Sequence, residues 1–200
     1  MVGRAFAAGL VAAMLAIAAP AAAQSFSDGY TFLKAVKERD GDKVNSVLAE
    51  PGTTAINARE RGTGDGALHI VARSRDLTWL SFLLSKGARP DLQNQEGNSA
   101  LSIAAQIGWT DGAQVLLARK ATVDLSNSRG ETPLILAVQR RDMSMVRLLL
   151  GKGADPKKTD SVAGLSAIDY AKQDSRWTAI LKLLEGSGEA KPKAVAGPKL

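Results

Sequence analysis

The sequence repeats itself with a period of 33 residues, and this feature limits the possible folds more than any other. Its first landmark is a leucine that opens an apolar segment, at Leu68, Leu101 and Leu134. A pair of leucines keeps the same step at Leu83-Leu84, Leu116-Leu117 and Leu149-Leu150. A fixed period of this length predicts a stack of similar units rather than one globular core.

Weaker copies of the pattern flank these three segments. After the three clear segments, the pattern continues at Ile168 and Leu183-Leu184 with a one-residue insertion. Before them, it is found at Phe32 and Val47-Leu48, with about three extra residues between that copy and the next. Five repeats are therefore expected, at about 28–60, 61–96, 97–129, 130–163 and 164–186. The end copies are more polar, as terminal repeats must be for solubility.

Each repeat contains two short helical patterns. Leu68, Val71 and Ala72 fall on one face of a first helix, and Leu80 and Leu83 fall on one face of a second. Helices of about ten residues are marginal in isolation, so their apolar faces need stacked neighbours. The expected fold class is all-α, a solenoid of helix-turn-helix repeats joined by β-hairpin-like loops.

Turn residues support this register. Gly87 and Gly153 follow the second helices, where a chain commonly ends a helix in the left-handed conformation. Lys120 occupies the same position in the repeat between them and should be mildly strained. Pro133 fits the first turn of a helix, where its missing N–H costs nothing.

The full pattern is G-x-T-P-L-H-x-A-A, then Leu-Leu, then G-A-D, and it resembles the ankyrin repeat. Thr132-Pro133-Leu134 keeps the Thr-Pro and Leu68-His69 keeps the histidine. The resemblance covers residues 24–186. It implies a non-enzymatic module that binds a partner protein, as an inhibitor, escort or scaffold, on the concave face formed by hairpin tips and first helices.

The resemblance also implies which positions vary with the partner. They are the two residues before the repeat glycine, the one after it and the two after the Ala-Ala pair. Here these partner-binding candidates include Asp65, Arg73, Ser74, Gln95, Glu96, Asn98, Gln106, Ile107, Ser128, Arg129, Glu131, Gln139 and Arg140. The set is polar and mixed in sign, which favours specific hydrogen bonds over bulk hydrophobic contact. The alternative is an ordinary solvated surface.

Few residues have catalytic or metal-binding chemistry. The chain has no cysteine, which excludes thiol nucleophiles and zinc-thiolate sites, and His69 is the single histidine. In the ankyrin pattern a histidine here bonds to the turn backbone. Asp40 with Asp42, and Asp91 with Asp124, occupy turn positions where capping is expected. No catalytic residue, metal or cofactor is predicted.

The three tryptophans are interpreted separately. Trp79 and Trp177 fall within second helices, where partial burial by packing is expected. Trp109 follows Gly108 at an inter-helix turn, where ankyrin repeats usually have a histidine. Exposure, and a possible contact with a partner, are expected for Trp109.

The two ends of the chain do not continue the repeat. Residues 1–23 combine Arg4, an apolar run, Pro20 and three alanines, the order found in a secretory signal. Cleavage before Gln24 and a periplasmic location follow as expectations, and the apolar run is too short for a stable membrane span. Residues 187–200 are rich in Lys, Pro and Gly, and they are expected to be a disordered tail.

The charge balance bears on the kind of partner. The net charge is +6, but both signs alternate along the repeats without a long basic run, which disfavours nucleic acid. A protein partner and a monomeric chain are expected. The alternative partner is an anionic polymer or envelope surface, bound through Arg73, Arg140, Arg141 and the basic tail, and steep salt dependence would distinguish it.

Overall fold

The computed structural model describes the backbone of residues 21–187 and the side chains of residues 28–186. This part contains five helix pairs. The first helices are α1 (Ala21–Glu38), α3 (Ala67–Arg73), α5 (Ala100–Ile107), α7 (Pro133–Gln139) and α9 (Ala167–Lys172). The second helices are α2 (Gly41–Ala49), α4 (Leu77–Ser85), α6 (Thr110–Ala118), α8 (Met143–Gly151) and α10 (Thr178–Ser187). The expected all-α repeat solenoid is confirmed.

The helix pairs stack in chain order. Each first helix contacts the next, from α1 through α9, and the second helices α4, α6, α8 and α10 form a parallel row behind them. The core therefore runs through the whole stack instead of closing within one unit. Ala72, Ala104 and Ala137 are fully buried in the first-helix row, where their small side chains let neighbouring helices approach closely.

Short side chains cap most of these helices. Asp40, Asp76 and Asp142 each accept a hydrogen bond from a backbone N–H in the first turn of the second helix that follows. Ser99 and Thr132 do the same for α5 and α7. Such caps satisfy donors that a helix start leaves unpaired, typically about 1 kcal/mol each. Pro133 lies in the first turn of α7, as the sequence predicts.

Hairpin-like loops connect the pairs, although the described residues contain no extended strand. Each loop is closed by a backbone bond, such as Asn94 N–H to Asn98 O (3.0 Å) and Asn127 N–H to Glu131 O (3.0 Å). Adjacent loops are also bonded to each other, as Ser128 N–H donates to Glu96 O at 3.0 Å. Gly97 has φ of 74°, and a Cβ there would collide with the Ser128 backbone.

The turn after each second helix has the conformation expected from the sequence. Gly87 and Gly153 have φ of 91° and 87°, and Lys120 has φ of 65° at the equivalent position. A residue with a Cβ pays a steric cost in this region, which the two glycines avoid. Lys120 therefore adopts the left-handed conformation, in which mild strain is expected.

The expectation that Trp109 is exposed is wrong. Trp109 is 7% exposed, and its ring packs directly over Gly112 one turn later in α6. Gly112 aligns with Trp79 and Met145 in the adjacent repeats, so the Trp109 ring fills the space that their side chains would fill. Trp79 and Trp177 are half-buried against the core, as expected.

The predicted signal peptide and tail fall largely outside the described residues. Helix α1 begins at Ala21, so the predicted cleavage before Gln24 lies within its first turn. Cleavage at that bond remains a prediction. Among the helices of residues 21–187, none is long and apolar enough to cross a membrane.

Candidate protein-binding surface

The single histidine is part of the framework beneath the hairpin loops. His69 is fully buried, and its Nδ1 accepts a hydrogen bond from the Gly66 backbone N–H at 3.0 Å. Its Nε2 lies 2.8 Å from the Asn98 carbonyl oxygen, so the proton of a neutral ring belongs on Nε2. Burial lowers the pKa of His69 below its ordinary value. Both ring nitrogens are occupied, and the ring ties α3 to the next loop.

A row of amide and carboxylate side chains, buried or half-buried, holds the hairpin loops in shape. Asn94 Oδ1 accepts from the backbone N–H groups of Glu96 and Asn98 at 3.0 Å each. Asn127 repeats this arrangement one loop later with Arg129 and Glu131, again at 3.0 Å. These bonds fix the loop tips without extended strands.

Asp160 occupies the corresponding position in the last described loop. Its Oδ1 accepts from the backbone N–H groups of Val162 and Ala163 at 2.8 and 2.6 Å, and its Oδ2 accepts from the Tyr170 hydroxyl at 2.7 Å. Burial raises the pKa of Asp160, but the hydrogen bonds outweigh it and leave the pKa below its ordinary value. The charged carboxylate therefore stays part of the row.

A family model described as ankyrin repeats (3 copies) matches residues 68–160, the span that contains these histidine and amide interactions. The chain contains ankyrin repeats over this span. The matched span covers the three segments with the clearest 33-residue period, and the pairs α1–α2 and α9–α10 extend the same stacking on either side. Ankyrin repeats indicate a protein–protein interaction module, and the family is typically non-enzymatic.

Three of the thirteen candidate positions lie below the surface of the ankyrin stack. Asp65, Asn98 and Glu131, the residues after the repeat glycines, are 6%, 3% and 4% exposed. Their side chains bond to the amide row, as in Asn94 Nδ2 to Asp65 Oδ1 at 2.8 Å and Asn127 Nδ2 to Glu131 Oε2 at 2.9 Å. The expectation of three solvent-facing side chains is wrong here, because each polar group finds its partner inside the loop network.

The ends of the first helices present an exposed row. Arg73 and Gln139 are exposed, Gln106 is half-buried, and these three positions are equivalent in successive repeats. Arg73 Nε donates to Asp65 Oδ2 at 3.2 Å, and Gln139 Nε2 donates to Glu131 Oε1 at 3.4 Å. The buried carboxylates therefore restrain the row residues from below.

The residues next to this row behave less uniformly. Ser74 and Arg140 are exposed, whereas Ile107 is half-buried. Arg140 Nη1 donates to the Gln106 carbonyl oxygen at 3.4 Å, so the Arg140 side chain contacts the preceding repeat. Arg140 therefore combines a contact between repeats with an accessible charge.

The loop tips supply the remaining candidates. Gln95, Glu96, Ser128 and Arg129 are all exposed. Arg129 makes two bonds to the Glu131 carboxylate, at 3.0 and 2.6 Å, yet its side chain is 65% exposed. Burial raises the pKa of Glu131, but Arg129 and its other hydrogen-bond partners outweigh this and lower the pKa overall. The tip therefore carries an oriented, charged guanidinium.

Asp91 and Asp124 have structural roles. Asp91 accepts from the backbone N–H and the hydroxyl of Thr122 at 2.8 and 2.5 Å, and Asp124 accepts from the Asp155 N–H at 3.1 Å. All three bonds join one repeat to the next. Burial raises the pKa of Asp124. Within residues 28–186 no group of three or more His, Cys, Asp or Glu side chains is placed to hold a metal ion.

Sequence reasoning missed a groove on the first repeat. The groove lies between α1 and residues 54–61 and has a volume of about 970 Å³. Its lining includes Tyr30, Lys34, Lys37, Arg59 and Arg61, none of which was among the candidates. Within the described residues, helix α1 already begins at Ala21, whereas a loop precedes each of the other first helices.

Proposed function

We propose that this ankyrin-repeat domain works in the periplasm as a non-enzymatic module that binds another protein. The partner docks on the concave face of repeats two to four. There it contacts the loop tips and the exposed ends of the first helices. The roles that fit are those of an inhibitor, an escort or a scaffold, in which binding itself is the activity.

The rigidity of the exposed set carries this proposal. The tips rest on the amide row of Asn94, Asn127 and Asp160, and Arg73 and Arg129 are held by the carboxylates beneath them. Side chains ordered before binding lose less conformational entropy when a partner docks. Exposed arginines held in this way are also frequent hot spots of protein interfaces, because the guanidinium forks onto carboxylates.

The partner is to be identified first and the surface mapped second. The mature chain, residues 24–200, serves as bait in a periplasmic extract, and mass spectrometry identifies what remains bound. Arg73→Ala with Arg140→Ala should then weaken binding by about tenfold or more. Lys86→Ala with Lys152→Ala, two exposed lysines at the ends of second helices, is the matched control and should have little effect.

Salt dependence separates a protein partner from an anionic polymer. A protein contact of this size should lose affinity only modestly as ionic strength rises, whereas contact with a polyanion weakens steeply. Equal losses in both double variants, together with a steep salt slope, would overturn the concave-face proposal.

The location has its own test. N-terminal sequencing of the exported protein should find Gln24 as the first residue. A protein recovered with Met1 intact would contradict export through a cleaved signal.

A further inference from the structure

Four exposed cations lie along the edge of the stack at which the second helices end. Lys86, Arg119 and Lys152 are the C-cap residues of α4, α6 and α8, and they recur with the 33-residue step of the repeat. Lys120 follows Arg119 at the same helix end, and all four residues are exposed. These four residues are called the cationic edge below.

The turns that follow these helices are bonded to one another in chain order. The Thr122 backbone N–H donates to Asp91 Oδ1 at 2.8 Å, and the Asp155 backbone N–H donates to Asp124 Oδ2 at 3.1 Å. Packed helices lie about 10 Å apart, so the cations of successive repeats follow one another at about this step. The cationic edge is therefore one continuous surface of three repeats.

Positive charge is in excess on this side of the stack. The helix ends and turns that form it are residues 86–91, 119–124 and 152–158. They contain seven lysines and arginines against three aspartates, and each aspartate accepts from a backbone N–H of its own or the next turn. None of the seven cations forms an ion pair within residues 28–186. Lys86 lies 5.4 Å from the centre of the Phe82 ring, and Lys158 Nζ donates to the Asp124 carbonyl oxygen at 2.7 Å. These two contacts leave the charge in place.

Helix stability explains three of these cations but not Lys120. A cation at a helix C-terminus offsets the partial negative charge there, which accounts for the three C-cap residues. Lys120 lies one residue later with φ of 65°, where the neighbouring repeats have Gly87 and Gly153. A glycine there avoids a steric cost, and the Lys120 side chain has no hydrogen bond or ion pair to the described residues. A strained position that the fold does not need indicates a function for its side chain.

The cationic edge has no apolar anchor for a protein partner. The exposed large apolar side chains of residues 28–186 are those of Tyr30, Leu77 and Val162, and none of them lies in these turns. Protein interfaces usually have an apolar or aromatic centre. The edge is therefore suited to an electrostatic contact with an anionic surface.

The spacing of the cations favours a lipid surface over a linear polymer. A nucleic acid strand has one phosphate about every 3.4 Å, which a step of about 10 Å between repeats does not match. Lipids diffuse laterally, so anionic headgroups can gather beneath cations at any spacing. Each lysine or arginine near such a surface adds to the attraction.

We propose that the cationic edge docks this protein onto a bilayer surface that contains anionic lipids. The three ammonium groups act as point charges on the headgroup phosphates, and the guanidinium of Arg119 forks onto phosphate oxygens. The contact is peripheral and involves the headgroups alone. None of the thirteen partner-binding candidates belongs to the cationic edge, so this proposal and the proposed function can fail independently.

The test measures co-sedimentation of the mature chain, residues 24–200, with lipid vesicles. About a third of the lipid is phosphatidylglycerol and the rest is phosphatidylcholine. Binding should be saturable at physiological ionic strength and should weaken steeply as salt is added. Vesicles of phosphatidylcholine alone should bind at least about tenfold more weakly.

Two single variants separate lipid binding from folding. Lys120→Gly removes a cation and relieves the positive φ, so it should weaken vesicle binding by about fivefold while increasing stability in urea. Gly153→Lys adds a cation at the equivalent position, so it should strengthen binding by a similar factor while decreasing stability. A purely structural role for Lys120 would not produce these opposite changes.

Two double variants test the position of the charge. Arg119→Gln with Lys152→Gln should weaken vesicle binding by about tenfold or more. Lys43→Gln with Lys172→Gln removes two exposed cations at the other end of the helices, in the first turn of α2 and the last turn of α9. This control should alter affinity by less than about twofold, because a nine-residue helix of about 13 Å is longer than the screening distance of about 8 Å. The lysines of residues 188–200 are the same in every variant.

Four results would overturn the proposal. The first is equal binding to anionic and neutral vesicles, and the second is unchanged vesicle binding by Lys120→Gly. The third is an equal loss in both double variants. The fourth is tighter binding of soluble polyphosphate or of a nucleic acid than of the vesicles, which would assign the cationic edge to a linear polyanion instead.

Discussion

Replacing Trp109 and Gly112 together by the residues found at the equivalent positions of the fourth repeat should show how the central repeat is packed. Helices α2, α4 and α8 start with an aspartate cap, and in α8 the residue three positions after the cap, Met145, is fully buried. In α6 a tryptophan stands at the cap position and a glycine three residues later. We expect Trp109→Asp with Gly112→Met to restore the common arrangement.

The magnitudes follow from the contacts. Trp109→Asp removes the ring that packs over Gly112, which should lower the free energy of unfolding by about 3–5 kcal/mol. The new aspartate cap should restore about 1 kcal/mol of this loss. Gly112→Met forces a side chain into the ring and should cost about 1–3 kcal/mol. The double variant should lose less than about 2 kcal/mol, because the methionine fills the emptied space. The coupling between the two changes is then at least about 1 kcal/mol.

Urea unfolding followed by far-UV circular dichroism measures these values, since a fluorescence signal would change with the tryptophan. Gly112→Ala and Gly151→Ala form a matched pair of helical glycines. A Cβ at 112 overlaps the Trp109 ring, whereas a Cβ at 151 meets nothing within 4 Å. Gly151→Ala should therefore stabilise by about 0.5–1 kcal/mol and Gly112→Ala should destabilise. Strictly additive single changes would refute the packing argument.

Three further predictions concern stability. Leu134→Ala should cost about 2–5 kcal/mol in urea unfolding, because Leu134 is fully buried in a middle repeat; a loss below about 1 kcal/mol would mean that the register is wrong. His69→Asn should cost about 1–3 kcal/mol at neutral pH. The pKa of His69 is lowered in the folded chain, so the unfolded chain binds the proton first as the pH falls below about 6.5. The free energy of unfolding should therefore decrease by at most about 1.4 kcal/mol per pH unit, and only in proteins that keep His69. Lys120→Gly should stabilise by about 0.5–1 kcal/mol by relieving its positive φ, and the reverse change Gly153→Lys should destabilise by a similar amount.

The repeat period was sufficient to predict the stack. Leu68, Leu101 and Leu134 are all buried in first helices, and the Leu-Leu pairs lie in second helices, as the spacing required. The prediction worked because a short helix pair has one way to bury two apolar faces, which is to repeat the same contact with each neighbour.

The candidate surface was harder to predict, because a polar residue on a loop can face either water or a buried partner. Asp65, Asn98 and Glu131 looked like surface residues when considered alone. Their partners Asn94 and Asn127 recur with the same 33-residue step, and this second periodic set of polar residues was the available signal. A buried polar group needs a matching group, so periodic pairs of polar residues indicate an internal network.

Trp109 was mispredicted for a related reason. Its sequence position belongs to an exposed turn, but the glycine at 112 leaves a gap that only a neighbouring side chain can fill. Reading position 112 together with Trp79 and Met145 would have shown that a large residue was missing. In a repeat protein the informative comparison is therefore between equivalent positions, and a single position considered alone misleads.

The joints between repeats also differ along the stack. Arg39 donates to Asp76 at 2.7 Å and Arg141 to Asp174 at 3.3 Å, so an inter-helix turn is tied to the next repeat at both ends of the described stack. Gly108 occupies the equivalent position in the third repeat and has no side chain to reach Asp142. There Arg140, one of the exposed candidate residues, donates to the Gln106 carbonyl oxygen instead. Arg140 therefore links repeats three and four, and we expect a partner that engages its guanidinium to compete with this hydrogen bond between repeats.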